Sequence, residues 1–279
     1  MSQSEYQYHN CYAMLEEIRT NLNEYSADFV QGNAIGVFDN TDIVRKINSS
    51  QKFIFNLLFG RIPELFLTSS SVTGLSGVYT IPSEVHKMDS IFDADGFQIF
   101  PINIQEKHLT TRTCSDYLYY RKGNTIVRDS GKSDALTFNY YTTVKDLTQG
   151  VSTGGSATSI ILATTAKPIS DYYNNVIVEN VTDGWADTIT DYTSARVATI
   201  ATRCSAQKYY GTVSQLPDIF HPLISQRTTI VMKNTTVSPQ RPEAGELGDF
   251  KENIIETIKS FAGSQNDISI DELINDFSF

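Results

Sequence analysis

The sequence predicts an α+β protein. A body of helices, opened by an antiparallel N-terminal pair, carries an antiparallel β unit and a small inserted β cassette. Three observations lead there. Apolar residues recur at steps of three and four over the first sixty positions, the signature of one helix face. From Leu75 the period changes to two, with hairpin signals between the runs. A polar junction, Gln149-Gly150-Val151-Ser152-Thr153-Gly154-Gly155-Ser156, then opens a third section of short β-branched runs.

In the first section Leu15, Ile18, Leu22, Tyr25 and Phe29 share one side of a helix, which Gly32 and Asn33 stop. Asn40-Thr41-Asp42 supplies capping oxygens for a second helix with Ile43, Ile47, Ile54, Leu57 and Leu58 on its apolar face. Gly60 and Pro63 end it. Two amphipathic helices joined by a short connection are expected to pair antiparallel.

The β unit, 75–148, begins with Val78-Tyr79-Thr80-Ile81 before Pro82, followed by a strand over 87–92. Asp95-Gly96 turns into Phe97-Gln98-Ile99-Phe100. Strands over 117–121 and 125–128 flank Lys122-Gly123-Asn124. A run over 136–144 alternates Leu136, Phe138 and Tyr140 against Thr137, Asn139 and Tyr141.

The cassette, 150–205, holds four expected strands at 158–163, 176–181, 186–192 and 196–201, with turns at Asp183-Gly184 and Thr193-Ser194. Leu216-Pro217-Asp218 then starts a helix with Phe220, Leu223, Ile224, Ile230 and Val231 on its apolar face. It joins 1–68 as the segment 214–236 of the helical body. Pro239 and Pro242 mark a linker to an acidic arm, 243–279, with nine carboxylates against two lysines. Within the arm Phe250, Ile254, Ile255, Ile258 and Phe261 form an amphipathic helix, and 268–274 a further short segment.

Charge narrows the function classes. A chain of 279 residues with a net charge of -10 has no basic face for gripping phosphates. Cys11, Cys114 and Cys204 are too sparse for a disulfide framework and indicate reduced thiols. The opening MSQSEYQYHNCYAM lacks the basic and apolar regions of a signal peptide, and no apolar run approaches ~18 residues. The expectation is a soluble product made in a cytoplasm, with no membrane partner.

The apparent chemical motifs lose their context on inspection. Ser130-Gly131-Lys132-Ser133 resembles the end of a phosphate loop, yet position 126 is Ile126 and a strand follows. Asp93-Ala94-Asp95-Gly96 lacks the later ligands of a calcium loop. Gly150-Val151-Ser152-Thr153-Gly154 has the letters of a nucleophile elbow without the helix that exposes its serine. His9, His86, His108 and His221 share no metal-ligand spacing. No catalytic residue, cofactor or metal is expected.

One resemblance remains. The Ser/Thr/Gly-rich lead-in, Ile160-Ile161-Leu162, Asp171-Tyr172-Tyr173-Asn174, Val176-Ile177-Val178, Ile189-Thr190-Asp191-Tyr192 and Arg196-Val197-Ala198-Thr199 together look like the β insertions of phage virion proteins. Leu216-Pro217-Asp218-Ile219-Phe220-His221-Pro222-Leu223-Ile224 is similar to the helix that follows such an insertion. With the order of the elements, the chain resembles the head-to-tail connector adaptors of tailed bacteriophages. The turn Asp183-Gly184-Trp185-Ala186 is poorer in glycine than that pattern, and 75–144 and the long arm have no counterpart in it.

The resemblance implies a structural virion protein rather than an enzyme, located in the neck and assembled in the host bacterial cytoplasm. It implies a cyclic homo-oligomer, with a dodecamer as the expected size. The portal protein lies above the ring, a tail or further ring protein below, and DNA passes through the lumen without specific binding. Candidate contacts are Tyr172, Tyr173, Trp185 and Tyr192 on the cassette, and Phe250, Ile254, Ile258, Phe261, Phe277 and Phe279 on the arm, because aromatics dominate interface cores. The competing reading for the cassette aromatics is that they fill its own small core, and for the arm that it is simply a solvated last helix of the domain. The competing functions are a tail component with a receptor- or glycan-binding β module, and an enzyme with a carboxylate pair such as Asp183 and Asp187.

Overall fold

A computed structural model describes residues 8–24, 37–103, 105, 117–128, 130–202, 204–235 and 244–262. It divides into two compact units. One comprises Met1–Leu57 with Val144–Phe279, the other Leu58–Thr143.

The second unit is a seven-stranded sheet of β1 (Leu67–Val72), β2 (Val78–Thr80), β3 (Val85–Phe92), β4 (Gln98–Pro101), β5 (Leu118–Lys122), β6 (Thr125–Arg128) and β7 (Leu136–Thr142), in the order β1-β7-β3-β4-β5-β6-β2. Every neighbouring pair is antiparallel except β4 and β5. The two edge strands are consecutive in sequence. The five residues between Val72 and Val78 reach at most about 20 Å, so the sheet must curl to bring its edges near one another. Its concave face carries Tyr79, Ile91, Ile99, Ile126, Leu136 and Phe138, all buried. Along β7 burial alternates with period two, as the Leu136, Phe138, Tyr140 pattern requires.

Turns close this sheet with side-chain oxygens. Asp93 Oδ1 accepts from the backbone N–H groups of Asp95 and Phe97, which makes the calcium-like run an Asx turn. The phosphate-loop lookalike lies in the connection to β7, where Ser133 Oγ accepts from Gly77 N. Gly77 has φ +74°, and a Cβ there would lie 2.8 Å from Gly131 Cα. Arg128, 1% exposed at its side chain, pairs with Asp134 at 2.9 Å and Asp93 at 3.5 Å.

The first unit contains α1 (Cys11–Asn21), most of α2 (Asn40–Arg61), α3 (His221–Lys233), α4 (Ala244–Ala262) and two four-stranded antiparallel sheets. These are β13 (Asp191–Tyr192), β14 (Val197–Thr199), β10 (Ser159–Ile161) and β9 (Gly154–Ser156), then β12 (Trp185–Thr188), β11 (Ile177–Asn180), β15 (Tyr209–Thr212) and β8 (Gln149–Val151), each in spatial order. A shared core of Ile160, Leu162, Tyr173, Val178, Tyr192 and Tyr210 joins the sheets.

The expected fold class is overturned. Among the described residues the protein is mostly β, with fifteen strands and four α-helices, and there is no N-terminal helix pair. Helix α1 ends at Asn21, with Asn23 in the left-handed region at φ 55°, a conformation asparagine tolerates. Tyr25, Phe29 and the stop at Gly32-Asn33 lie outside the described residues. The apolar stripe Met14, Leu15, Ile18 is buried, and α1 packs on α3 and β15, meeting α2 at its first residue through the Arg19 bonds to Asn40. Two features direct it there. Asn10 caps α1 through Oδ1, at 2.8 Å from Tyr12 N and 3.0 Å from Ala13 N, while its Nδ2 donates to the buried Glu179 of β11 at 2.6 Å. Gly211 of β15 lacks the Cβ that would strike Asn10 Oδ1 at 2.5 Å. Capping and close approach thus anchor the helix to a sheet.

Helix α3 begins as the Leu216-Pro217-Asp218 signal requires, with a 3-10 turn at Asp218–Phe220 leading into it. It lies between α1 and α4 and buries Ser225, Thr228 and Thr229 as well as its apolar residues. The buried hydroxyls of Thr228 and Thr229 donate back to the carbonyls of Ile224 and Ser225, so that their burial costs little.

Candidate functional site

The described cassette aromatics are built into the module. Tyr173 and Tyr192 are each 1% exposed. The rings of Tyr172, Tyr173 and Tyr192 form a T-shaped series with centroids 4.9 Å apart. Tyr192 Oη donates to Lys167 O at 2.7 Å, and burial pushes its hydroxyl up to about 12. Tyr172 is half-buried and Trp185 packs partly against the same core, its indole Nε1 buried without a hydrogen-bond partner. Tyr173 and Tyr192 therefore occupy the core and not the contact surface expected of them: a module this small needs its large side chains inside.

The arm divides similarly. Phe250, Ile254 and Ile258 are fully buried in α4, which packs on α3 and on the 3-10 turn before it. Phe261 is 37% exposed and packs against Phe220 at 5.5 Å. These anchors serve the chain's own fold instead of a partner's groove, because the buried face of α3 needs a cover. Phe277 and Phe279 lie outside the described residues.

A cleft of about 570 Å³ lies between α2 and the β8 side of the cassette. Asn48 aligns one wall, donating to Leu147 O at 3.0 Å and accepting from Leu147 N at 2.6 Å. Gln51 adds a bond to Lys145 O. Within this frame Asp146 takes Lys52 at 2.6 Å and Lys167 at 2.5 Å. Burial pushes the Asp146 carboxyl up, but the bonds from Lys167 and Lys52 outweigh it and hold the group below the usual carboxylate range. Burial disfavours the Lys167 ammonium, yet Asp146 and Tyr172 raise it above its ordinary value. Tyr172 Oη accepts from Asp146 N and Lys167 Nζ, each at 3.0 Å. Val44, Leu147, Val151 and Tyr209 supply apolar lining. Asp146 and Lys167 escaped the sequence reading because each looks like an ordinary surface charge until the fold joins positions 52, 146 and 167.

Other groupings fail on geometry. His9 Nε2 lies 3.0 Å from Ser225 Oγ and 3.1 Å from Glu17. A nucleophile relay needs the two imidazole nitrogens to face opposite partners. Here one nitrogen serves both, and Ser225 is fully buried. Asp187 Oδ2 accepts from Ala201 N and Thr202 N, and Asp183 binds Lys208, so the two carboxylates considered for an enzyme tie down turns. Cys11 and Cys204 are buried, and burial pushes both thiols up, away from reactivity. Cys114 and His108 lie outside the described residues. Ser152, the elbow lookalike, is buried and donates to Ser205 O. Among the described residues no group of His, Cys, Asp and Glu could hold a metal ion, and no helix is long and apolar enough to cross a membrane.

Comparison with known proteins finds no family model that matches the chain and no curated protein of detectable sequence similarity.

Proposed function

We propose that the protein is a structural component of a tailed-phage virion, a head-to-tail connector adaptor that assembles into a ring between portal and tail. The observation that carries this reading is an open sheet edge. β1, Leu67-Thr68-Ser69-Ser70-Ser71-Val72, ends the seven-stranded sheet with six residues that bear no charge, and Leu67 is 46% exposed. Proteins that stay monomeric blunt such edges with charge, proline or bulges. Leu75, 82% exposed, and Val78, 41% exposed, add apolar surface on the following segment.

Contact in the ring then runs through sheet edges rather than paired helices. Repetition of one heterologous interface closes a ring, here a cyclic homo-oligomer of about twelve copies on the adaptor resemblance, with the portal above and a tail or ring protein below. The cassette sequence 160–199 and the segment 216–224 support the assignment through their likeness to virion modules. A net charge of -10 suits a lumen that DNA traverses without being held. Negative-stain images of the protein mixed with its portal test this: a second ring stacked on the portal is expected, and its absence at saturating concentration refutes the reading.

A second reading, a receptor- or glycan-binding tail component, draws on the cleft, which Tyr209 lines together with the Asp146 and Lys167 pair. Immunogold labelling at the tail tip instead of the neck would decide for it.

A further inference from the structure

The edge of β1 fits one kind of partner. In an antiparallel ladder successive residues turn their N–H and C=O groups alternately toward the neighbouring strand and away from it. Leu67 N donates to Glu64 O in the preceding 3-10 turn, so Leu67 stands outside the set bonded to β7. Ser69 and Ser71 are in step with it and direct their backbone groups away from the sheet. Both are exposed, as are Leu67 and Thr68.

Among the described residues the other sheet edges are each occupied by their own chain. Leu75 and Val78 exchange backbone bonds of 3.1 and 3.0 Å along β2. Cys204 N donates to Ser156 O on β9 at 3.0 Å, and Asp171 N to Tyr192 O on β13 at 2.7 Å. Thr165 Oγ1 donates to Gln149 O on β8 at 3.1 Å, and Asp187 Oδ1 takes Thr188 N on β12 at 2.8 Å. The outward groups of Ser69 and Ser71 have no such bond from any described residue.

The chemistry of β1 then selects its partner. A free row of backbone donors and acceptors calls for an extended strand. A two-fold contact brings each residue against its own set, so any charge would meet its like across the axis. Leu67-Thr68-Ser69-Ser70-Ser71-Val72 carries none, and Ser and Thr side chains hydrogen-bond one another across antiparallel strands. With the other edges closed, the strand that matches is β1 of a second copy. An axis at Ser69 uses all three outward-facing residues: Ser69 faces Ser69, and Leu67 faces Ser71, of the second copy. An axis at Ser70 leaves Leu67 opposite Thr73, beyond the strand.

We propose that free subunits pair β1 to β1, antiparallel about Ser69, so that the seven-stranded sheets of two copies join edge to edge. The pair uses the same open edge that the ring reading draws on, but it closes after two copies. On that reading the pair parts as subunits enter the ring, and until then it shields the edge from other strands.

Sedimentation equilibrium of the full chain tests this over roughly 5–200 μM, a range in which a small interface dissociates. The wild type is expected to run from the mass of one chain toward that of two, and no further. Ser69→Lys and Ser69→Glu, at an exposed position, should each weaken pairing by about fivefold or more, because like charges then meet at the axis. Mixed in equal amounts, the two variants should recover it. Ser71→Pro deletes an outward N–H and spares the bonds to β7, so it should keep its far-ultraviolet circular dichroism and lose pairing. If Ser71→Pro unfolds, the Ser69 variants decide alone. A wild type with the mass of one chain throughout overturns the proposal, as does a mass beyond two. So do Ser69 variants that pair as the wild type does, a mixture that fails to recover pairing, and a folded Ser71→Pro that still pairs. A monomeric free chain that nonetheless stacks as a ring on the portal refutes the pair and leaves the ring reading standing.

Discussion

Replacing Gly211 by alanine tests the account of how α1 is anchored. Gly211 lies inside β15 with no left-handed backbone requirement, so the substitution should by itself gain about 0.5–1 kcal/mol from reduced chain entropy. The surroundings reverse the sign. The new Cβ would lie 2.5 Å from Asn10 Oδ1, 2.7 Å from Tyr12 N and 3.0 Å from Asn10 Cγ. Ordinary carbon contacts lie near 3.5 Å, so the start of α1 must retreat by roughly 1 Å. Retreat strains the cap to Tyr12 N and Ala13 N together with the 2.6 Å bond to Glu179. Loss of a cap costs about 1–2 kcal/mol and overpacking a further 1–3 kcal/mol. After the entropic gain, Gly211→Ala should destabilise the first unit by about 1–4 kcal/mol. Trp185, the single tryptophan, sits in the cassette sheet that contains β15 and reports unfolding by fluorescence in urea. In an Asn10→Ala background the same change should cost less, because two of the three struck atoms, Asn10 Oδ1 and Cγ, are gone while Tyr12 N remains, giving a coupling above about 0.5 kcal/mol. A Gly211→Ala protein within about 0.5 kcal/mol of wild type, or strictly additive with Asn10→Ala, refutes the close-approach argument.

Three further outcomes follow from the same geometry. Gly248→Ala, at an exposed position of α4 with nothing within 4 Å of the added Cβ, should stabilise the protein by about 0.5–1 kcal/mol in the same urea titration, and a loss of stability would contradict the open setting. Tyr192→Ala should cost about 3–5 kcal/mol and expose Trp185 to solvent as a red-shifted emission; a variant that stays folded and loses only assembly would restore Tyr192 as a contact residue. His221 is buried, which pushes its imidazole below the unfolded value of 6.5 despite its contact with Leu216 O at 2.8 Å. The unfolded chain then binds more protons, so stability from this group is full above pH 6.5 and is lost as pH falls through the folded value. His221→Gln should flatten the fall in stability between pH 7 and about 5, and parallel wild-type and variant profiles would refute this.

Local readings succeeded where neighbours in sequence decide the conformation. The Lys122-Gly123-Asn124 hairpin, the alternation through β7, the turn at Asp95-Gly96 and the proline-led entry to α3 each depend on residues within a few positions. The helix-pair expectation failed because an apolar stripe such as Met14, Leu15, Ile18 declares that it will be covered without declaring by what. β15 went unread because Tyr209-Tyr210-Gly211-Thr212 has only two large apolar residues and a glycine; it becomes a strand by pairing with β11 and β8 on either side. β1 went unread since Ser69-Ser70-Ser71 carries no alternation, and β7 gives it a register.

Sequence alone thus determined the turns, the alternation of the strands and the acidic character of the chain. Those are properties of short stretches, governed by dihedral preference and side-chain period. Tertiary structure decided which helix covers which sheet, that Tyr173 and Tyr192 face inward, and that Lys52, Asp146 and Lys167 meet in one cleft. Each of these joins residues many positions apart. The chain entropy lost in bringing them together is recovered only through burial and charge pairing, which exist once the whole unit has closed.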